Sequence, residues 1–128
     1  YLCGITATPD NSLTEIHKTA LGAEDSVKWE YYSNTIDVVE KLKMEGYTIV
    51  SVEQVEQSIK LDEFKADSSK HYALILGNEV KGVQQEVVDI SDISLEIPQY
   101  GTKHSLNVSV SAGIVLWEFA KQLKNMLD

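Results

Sequence analysis

Five apolar residues, Tyr72-Ala73-Leu74-Ile75-Leu76, run without a polar break straight into Gly77-Asn78. A continuous apolar run of this length fits a strand covered on both faces, as in the parallel sheet of an α/β domain. Ligands of such sheets sit beyond the carboxyl ends of the strands, so the loop Gly77-Asn78-Glu79, closed by Gly82, is the first candidate site. A second apolar-to-polar passage follows at Ile97 to Glu118, reading IPQYGTKHSLNVSVSAGIVLWE.

The rest of the chain supplies the elements such a sheet needs. Residues 1–7 read as a strand, the Pro9-Asp10-Asn11-Ser12 cluster as a turn, and residues 27–32 as a second strand. Ser33 or Asn34 can cap a helix over about residues 36–45, with Asp37 matched to its N-terminal dipole and Gly46 as its stop. Ile36, Val39 and Leu42 then share one face. Residues 47–52 form a third strand, and this strand, helix, strand order predicts that segments 27–32 and 47–52 pair in parallel through a right-handed crossover. Residues 53–71 fit neither period. A short helix is expected over residues 83–89 and a short strand over residues 95–97, ended by Pro98. From about Val108 to Leu127, Val108, Ala112, Val115, Phe119 and Leu123 recur at helical spacing, and Val110, Ile114 and Trp117 widen the apolar face. A helix apolar over so much of its girth calls for burial against two surfaces, its own sheet and a partner subunit.

Composition narrows the function classes. At 128 residues and 43% apolar content, one compact domain with a modest core is expected. Twenty acidic against eleven basic residues leave a formal charge of −9, which disfavours a broad nonspecific grip on phosphate backbones. All the basic residues are lysines, so guanidinium chemistry has no source in this chain. Cys3 is the single cysteine, which rules out an internal disulfide and points to a reducing, cytoplasmic setting. No window approaches the roughly 20 apolar residues of a membrane span. The chain opens inside a strand-like run without an initiator methionine, which reads as the later part of a longer protein.

Taken singly, the two loops have plain structural explanations. Gly77 and Gly82 can serve a strand-to-helix turn with Asn78 capping the following helix, and Ser105 or Asn107 can cap the last helix. The glycine spacing is not that of a P-loop, because Val83 and Gln84 follow Gly82 where lysine and a hydroxyl residue belong. A hydrolase triad built on Ser105 lacks the nucleophile elbow. His17, His71, His104 and Cys3 show no metal-ligand spacing, so no metal is expected.

As an ordered pair, LILGNEVKGV and IPQYGTKHSLNVSVSAGIVLWE resemble the second and third signature motifs of the SpoU, or TrmH, family of RNA 2′-O-ribose methyltransferases in the SPOUT class. The resemblance is strong over residues 72–120 and extends weakly upstream through YLCGITATP and KTALGA. It implies an α/β fold, a parallel sheet flanked by helices, whose C-terminal segment is threaded into a trefoil knot. It further implies one SPOUT-type domain over residues 1–128, with the first strand and helix of that domain upstream of Tyr1. The implied cofactor is S-adenosylmethionine, contacted at Gly77, Ile97 and Leu106 with Leu76 and Pro98 beside them. Asn78, Glu79, Ser105 and Asn107 match the motifs' polar positions, expected to hold the loops and orient the ribose, with Glu79 and Asn107 assigned direct active-site roles. The implied substrate is tRNA or rRNA, and the implied assembly a homodimer through the C-terminal helix and knot region.

The family's first motif, which carries the arginine proposed to assist deprotonation of the ribose hydroxyl, has no counterpart here. Lys18, Lys81 and Lys103 do not reproduce a guanidinium's geometry. Two further readings stay open: a knotted module that has lost catalysis and serves RNA binding or dimerisation, and an ordinary unknotted nucleotide-binding α/β domain.

Overall fold

The computed structural model describes residues 1–4, 6, 8, 26–78, 80–101 and 106–124. The chain divides into two compact units, residues 1–41 and 42–128. In the first, β1 (Leu2–Cys3) pairs in parallel with β2 (Tyr31–Tyr32), and the Tyr31 hydroxyl donates to the Gly4 carbonyl. Both strands are shorter than the sequence suggests. Gly4, at φ 58°, takes the left-handed region and turns the chain, and Thr6 N–H donates back to Cys3 O at 3.0 Å.

The helix α1 (Thr35–Met44) begins where expected, with Asn34 Oδ1 accepting from Ile36 N–H at 3.1 Å. Gly46 at φ 92° ends the turn that follows it. Val38, Val39 and Leu42 are its buried positions and Ile36 is half-buried, so the helical period was read correctly.

The second unit holds a four-stranded, all-parallel sheet in the order β4-β6-β3-β5. Its members are β3 (Tyr47–Val52), β4 (Ile59–Lys60), β5 (His71–Leu76) and β6 (Ile93–Glu96). All six residues of β3 pair with β5, and β3 residues Val50 to Val52 pair on the other side with β6. The expected pairing of segments 27–32 and 47–52 is therefore corrected: both edges of β3 are taken within this sheet, and β2 pairs with β1. Where β6 has not yet begun, Asp92 takes its place, its carboxylate accepting from Ile49 N–H at 2.8 Å. The previously unassigned stretch contributes the edge strand β4 and a short 3-10 turn, Leu61–Glu63. β6 starts two residues earlier than predicted and ends at Glu96, one residue before Ile97.

Two further helices complete the unit, α2 (Gln85–Ile90) and α3 (Val108–Leu123). The core gathers Val50, Leu95, Leu61, Phe64, Val115 and Phe119, with Tyr72, Leu74 and Ile97 packed against it. Phe119 meets Phe64 and Tyr72 with ring centroids 5.2 Å away in each case, a tight aromatic triangle. Gln122 ties α3 to the Leu61–Ala66 segment by donating to Phe64 O at 3.0 Å and accepting from Ala66 N–H at 2.6 Å. One turn earlier, hydrogen bonds from Lys121 and Gln122 hold the Glu118 carboxyl below the usual carboxylate range.

Val115 and Phe119 bury the inner stripe of α3, as the sequence spacing requires. Its other apolar face is open in this chain: Val110 is 50% exposed, Ile114 39% and Trp117 69%. Among the described residues, no helix is long and apolar enough to cross a membrane.

Candidate functional site

The carboxyl ends of β3, β5 and β6 open onto a single cleft of about 460 Å³, within the size range of small-molecule sites. Glu53 and Gln54 enter it from the end of β3, Leu76 to Asn78 from the end of β5, and Glu96, Ile97 and Gln99 from the end of β6. Leu106, Val108 and Ser111, at the start of α3, line it as well. The two loops singled out in the sequence, some twenty residues apart along the chain, thus meet in one place.

The loop after β5 is built on backbone contacts. Asn78 pairs with Gly82 in an isolated bridge, with Gly82 N–H donating to Asn78 O at 2.7 Å. The Asn78 side chain accepts from Val80 N–H at 2.8 Å and Lys81 N–H at 3.2 Å, so it stabilises this turn. It does not cap α2, whose N-cap is Gln84, without a side-chain hydrogen bond. The reason is distance along the chain: the bridge to Gly82 closes before the helix begins.

Gly77 has no room for a side chain. A Cβ there would stand 2.2 Å from Gly82 C and 2.4 Å from Val83 N. At Gly82 the requirement is doubled, since φ is +66° and a Cβ would stand 2.6 Å from Glu53 Oε2.

Of the cofactor contacts expected from the sequence, Gly77, Ile97, Leu106 and Leu76 line the cleft, whereas half-buried Pro98 is not among the lining residues. Of the polar positions, Asn78 lines the cleft; Asn107 is not among the lining residues, although its neighbours Leu106 and Val108 are, and it is the N-cap of α3, its side chain accepting from Ser109 N–H at 2.8 Å. Glu79 and Ser105 lie outside the described residues, as do Lys103 and His104. No cluster of metal-ligating side chains occurs among the described residues.

Sequence reasoning missed Glu53. Its backbone N–H donates to Leu95 O at 2.9 Å, and its carboxylate accepts from Val83 N–H at 2.9 Å. The rule that selected Gly77 would have found it, because Glu53 is the first residue beyond the carboxyl end of β3.

Comparison with known proteins gives this geometry its setting. The sequence matches the SpoU rRNA Methylase family over residues 4–117. The chain belongs to the SpoU family. Among SpoU relatives, it is 38% identical over 102 residues to a tRNA (guanosine(18)-2′-O)-methyltransferase from Aquifex aeolicus, an alignment covering 77% of this chain and 47% of that protein. It is 33% identical over 112 residues to a 23S rRNA (guanosine-2′-O-)-methyltransferase from Neisseria meningitidis, covering 86% of this chain and 44% of that protein. The chain thus spans less than half the length of either SpoU relative. A crystal structure of an AdoMet-bound rRNA methyltransferase from Sinorhizobium meliloti superposes with a TM-score of 0.82 at 28% identity, over 95% of this chain and 45% of that one. The α/β architecture with a parallel sheet is therefore the SpoU architecture.

Proposed function

We propose that this chain is the cofactor-binding part of an S-adenosylmethionine-dependent RNA 2′-O-ribose methyltransferase acting on tRNA or rRNA in the cytoplasm. The observation that carries the reading is the convergence of the two motif loops on one cleft at the carboxyl ends of parallel strands. The likeness to RNA 2′-O-methyltransferases and to an AdoMet-bound structure supports it. In this reading the chain belongs to a single SPOUT-type domain, and its C-terminal segment is threaded as a trefoil knot.

The cleft suits the cofactor. A glycine at Gly77 lets one backbone layer lie directly on another, while Leu76, Ile97 and Leu106 offer apolar walls to the cleft. When bound, S-adenosylmethionine supplies an activated methyl group, which leaves positioning and charge placement to the protein. Asn78 fixes the turn that borders the site. Asn107 fixes the start of α3 and, with Glu79 and Ser105, orients the acceptor ribose. Lys81, exposed at the cleft, offers a positive charge to RNA phosphate. With no arginine in the chain, none of its residues offers a guanidinium to help remove the ribose proton.

Transfer of labelled methyl groups from S-adenosylmethionine to unmodified tRNA and rRNA by the complete protein tests this reading. Glu79→Ala and Asn107→Ala are each expected to lower turnover by about 100-fold, the scale of a lost positioning or acid-base group. Asn107→Ala also removes a helix cap, costing about 1 kcal/mol, whereas Asn107→Asp keeps a capping oxygen and the stability. Turnover unchanged in both alanine variants sinks the site assignment. RNA binding by the unaltered protein without any methyl transfer favours the catalytically inactive module, the reading to which the missing arginine lends weight.

The same proposal assigns the open face of α3 to a homodimer. Val110, Ile114 and Trp117 follow helical spacing on that face, and a partner covering their exposed apolar area gains roughly 25 cal/mol for each Å² taken out of water. Trp117→Glu leaves the Val115 and Phe119 stripe intact, so the complete protein should sediment as a folded monomer; a dimer of unchanged affinity rules this surface out.

A further inference from the structure

Glu53 stands where three strand ends meet, and two glycines give it access. Its main chain is held in the β3/β6 ladder by the bond to Leu95 O. Its side chain crosses to the loop after β5, with Oε2 2.9 Å from Val83 N. Gly82 presents only its Cα to that carboxylate, since a Cβ would stand 2.6 Å from Oε2. Gly77 in turn packs against the same Gly82-Val83 backbone, where a Cβ would stand 2.2 Å from Gly82 C and 2.4 Å from Val83 N. The order is thus Gly77, then the Gly82-Val83 backbone, then the Glu53 carboxylate, all half-buried and all lining the cleft. A side chain on either glycine would break this stack.

We propose that Glu53 is a positioning residue of the cofactor cleft, its Oε2 holding the Val83 amide so that the loop over residues 77–83 keeps the shape the cofactor enters. This rests on the S-adenosylmethionine reading given above. The loop has its own bridge between Asn78 and Gly82, but that bridge only closes the loop upon itself. Among the described residues, the Glu53 bond to Val83 is the side-chain link that joins the loop to the neighbouring strand β3. A carboxylate accepting from a backbone N–H forms a charge-assisted bond, stronger than a neutral one. Removing it leaves a half-buried N–H without its acceptor and lets the loop move relative to Ile97 and Leu106 across the cleft.

The test compares Glu53→Ala with Glu53→Gln in the complete protein, because glutamine keeps an acceptor oxygen at the same reach. Calorimetry should show S-adenosylmethionine affinity lowered about tenfold by alanine and by no more than about threefold by glutamine. The KM for S-adenosylmethionine should rise in step, with kcat at saturation within about twofold of the unaltered enzyme. Val83 amide hydrogen exchange, followed without cofactor, should speed up about tenfold in the alanine variant alone. Equal loss of affinity in both variants overturns the proposal, since it would mean that the charge itself meets the ligand. Unchanged affinity in Glu53→Ala overturns it as well. If the unaltered protein binds no S-adenosylmethionine, the cofactor reading falls, and the role of Glu53 is then judged on exchange alone: equal Val83 rates in the two variants refute it.

Discussion

On the methyltransferase reading proposed above, replacing Gly77 with alanine is expected to cost about 100-fold in kcat/KM for methyl transfer in the complete protein. The added Cβ would lie 2.2 Å from Gly82 C, 2.4 Å from Val83 N and 2.7 Å from Gly82 Cα. All three are backbone atoms, so no rotamer change relieves the clash. Reaching an ordinary contact of about 3.5 Å requires the loop to move by roughly 1 Å. That displacement strains both bonds that shape the loop, Gly82 N–H to Asn78 O and Val83 N–H to Glu53 Oε2. A 1 Å error in a site that works by positioning is enough for a loss of this order. The fold should survive, because the core of Val50, Leu95 and Phe119 does not include this loop; overpacking of this kind costs about 1–3 kcal/mol. Calorimetry with S-adenosylmethionine and a thermal melt read the two effects separately. Near-normal affinity in a protein that melts normally would show that the Gly77 to Gly82 contact does not shape the cofactor cleft.

The largest expected loss of stability lies elsewhere, at Phe119→Ala. Phe119 is 6% exposed and joins α3 to both Phe64, from the segment after β4, and Tyr72, from β5. Truncating a buried phenylalanine costs about 3–5 kcal/mol, a transfer loss plus a cavity. A second loss follows from the aromatic edge contacts, which a smaller side chain cannot replace. Urea unfolding should show the midpoint lowered with little change in slope. Phe119→Leu, closer in volume, should recover more than half of the loss. A midpoint shift below about 1 kcal/mol for alanine would mean that α3 is not docked through this triangle.

These two positions also show how unevenly the sequence discloses the protein. Phe119 was legible: its spacing from Val115 and Leu123 placed it on an inner helical stripe, and helical period is a local property of the chain. Gly77 was legible as a turn, but the backbone on which it lies was not. The Cβ clash involves Gly82 and Val83 brought back over it, an arrangement that depends on the Asn78 bridge and on Glu53. For Asn78 the plain alternative to a site role was a helix cap, because Asn before a short helix usually is one; the structure instead uses its side chain to hold the turn closed by the bridge to Gly82. Glu53 was passed over because its stretch, Glu53-Gln54-Val55-Glu56-Gln57, alternates without a clear period and resembles surface. Nothing within that stretch reports that Val83, thirty residues on, brings its amide to it.

The sequence alone determined the elements whose causes are local. The unbroken run Tyr72 to Leu76 demanded a parallel strand, though the expected cover on both faces is corrected by its place at the sheet edge with every residue from Tyr72 to Leu76 only half-buried. Asn34 and Gly46 bounded the first helix, and the spacing after Asn107 set the last one. The two motifs, by their order, carried the family. Tertiary structure decided what depends on strand order and on contacts across the sheet. It set the order β4-β6-β3-β5, withdrew β3 from the expected partnership with the segment before α1, and left Trp117 exposed on a face that periodicity could only mark as apolar. It also gathered Glu53, Gly77 and Ile97 at one edge. The physical reason is range: dihedral preference and helical or strand period act over a few neighbouring residues. Which strand end meets which loop is settled only when the whole apolar surface of the sheet is buried together.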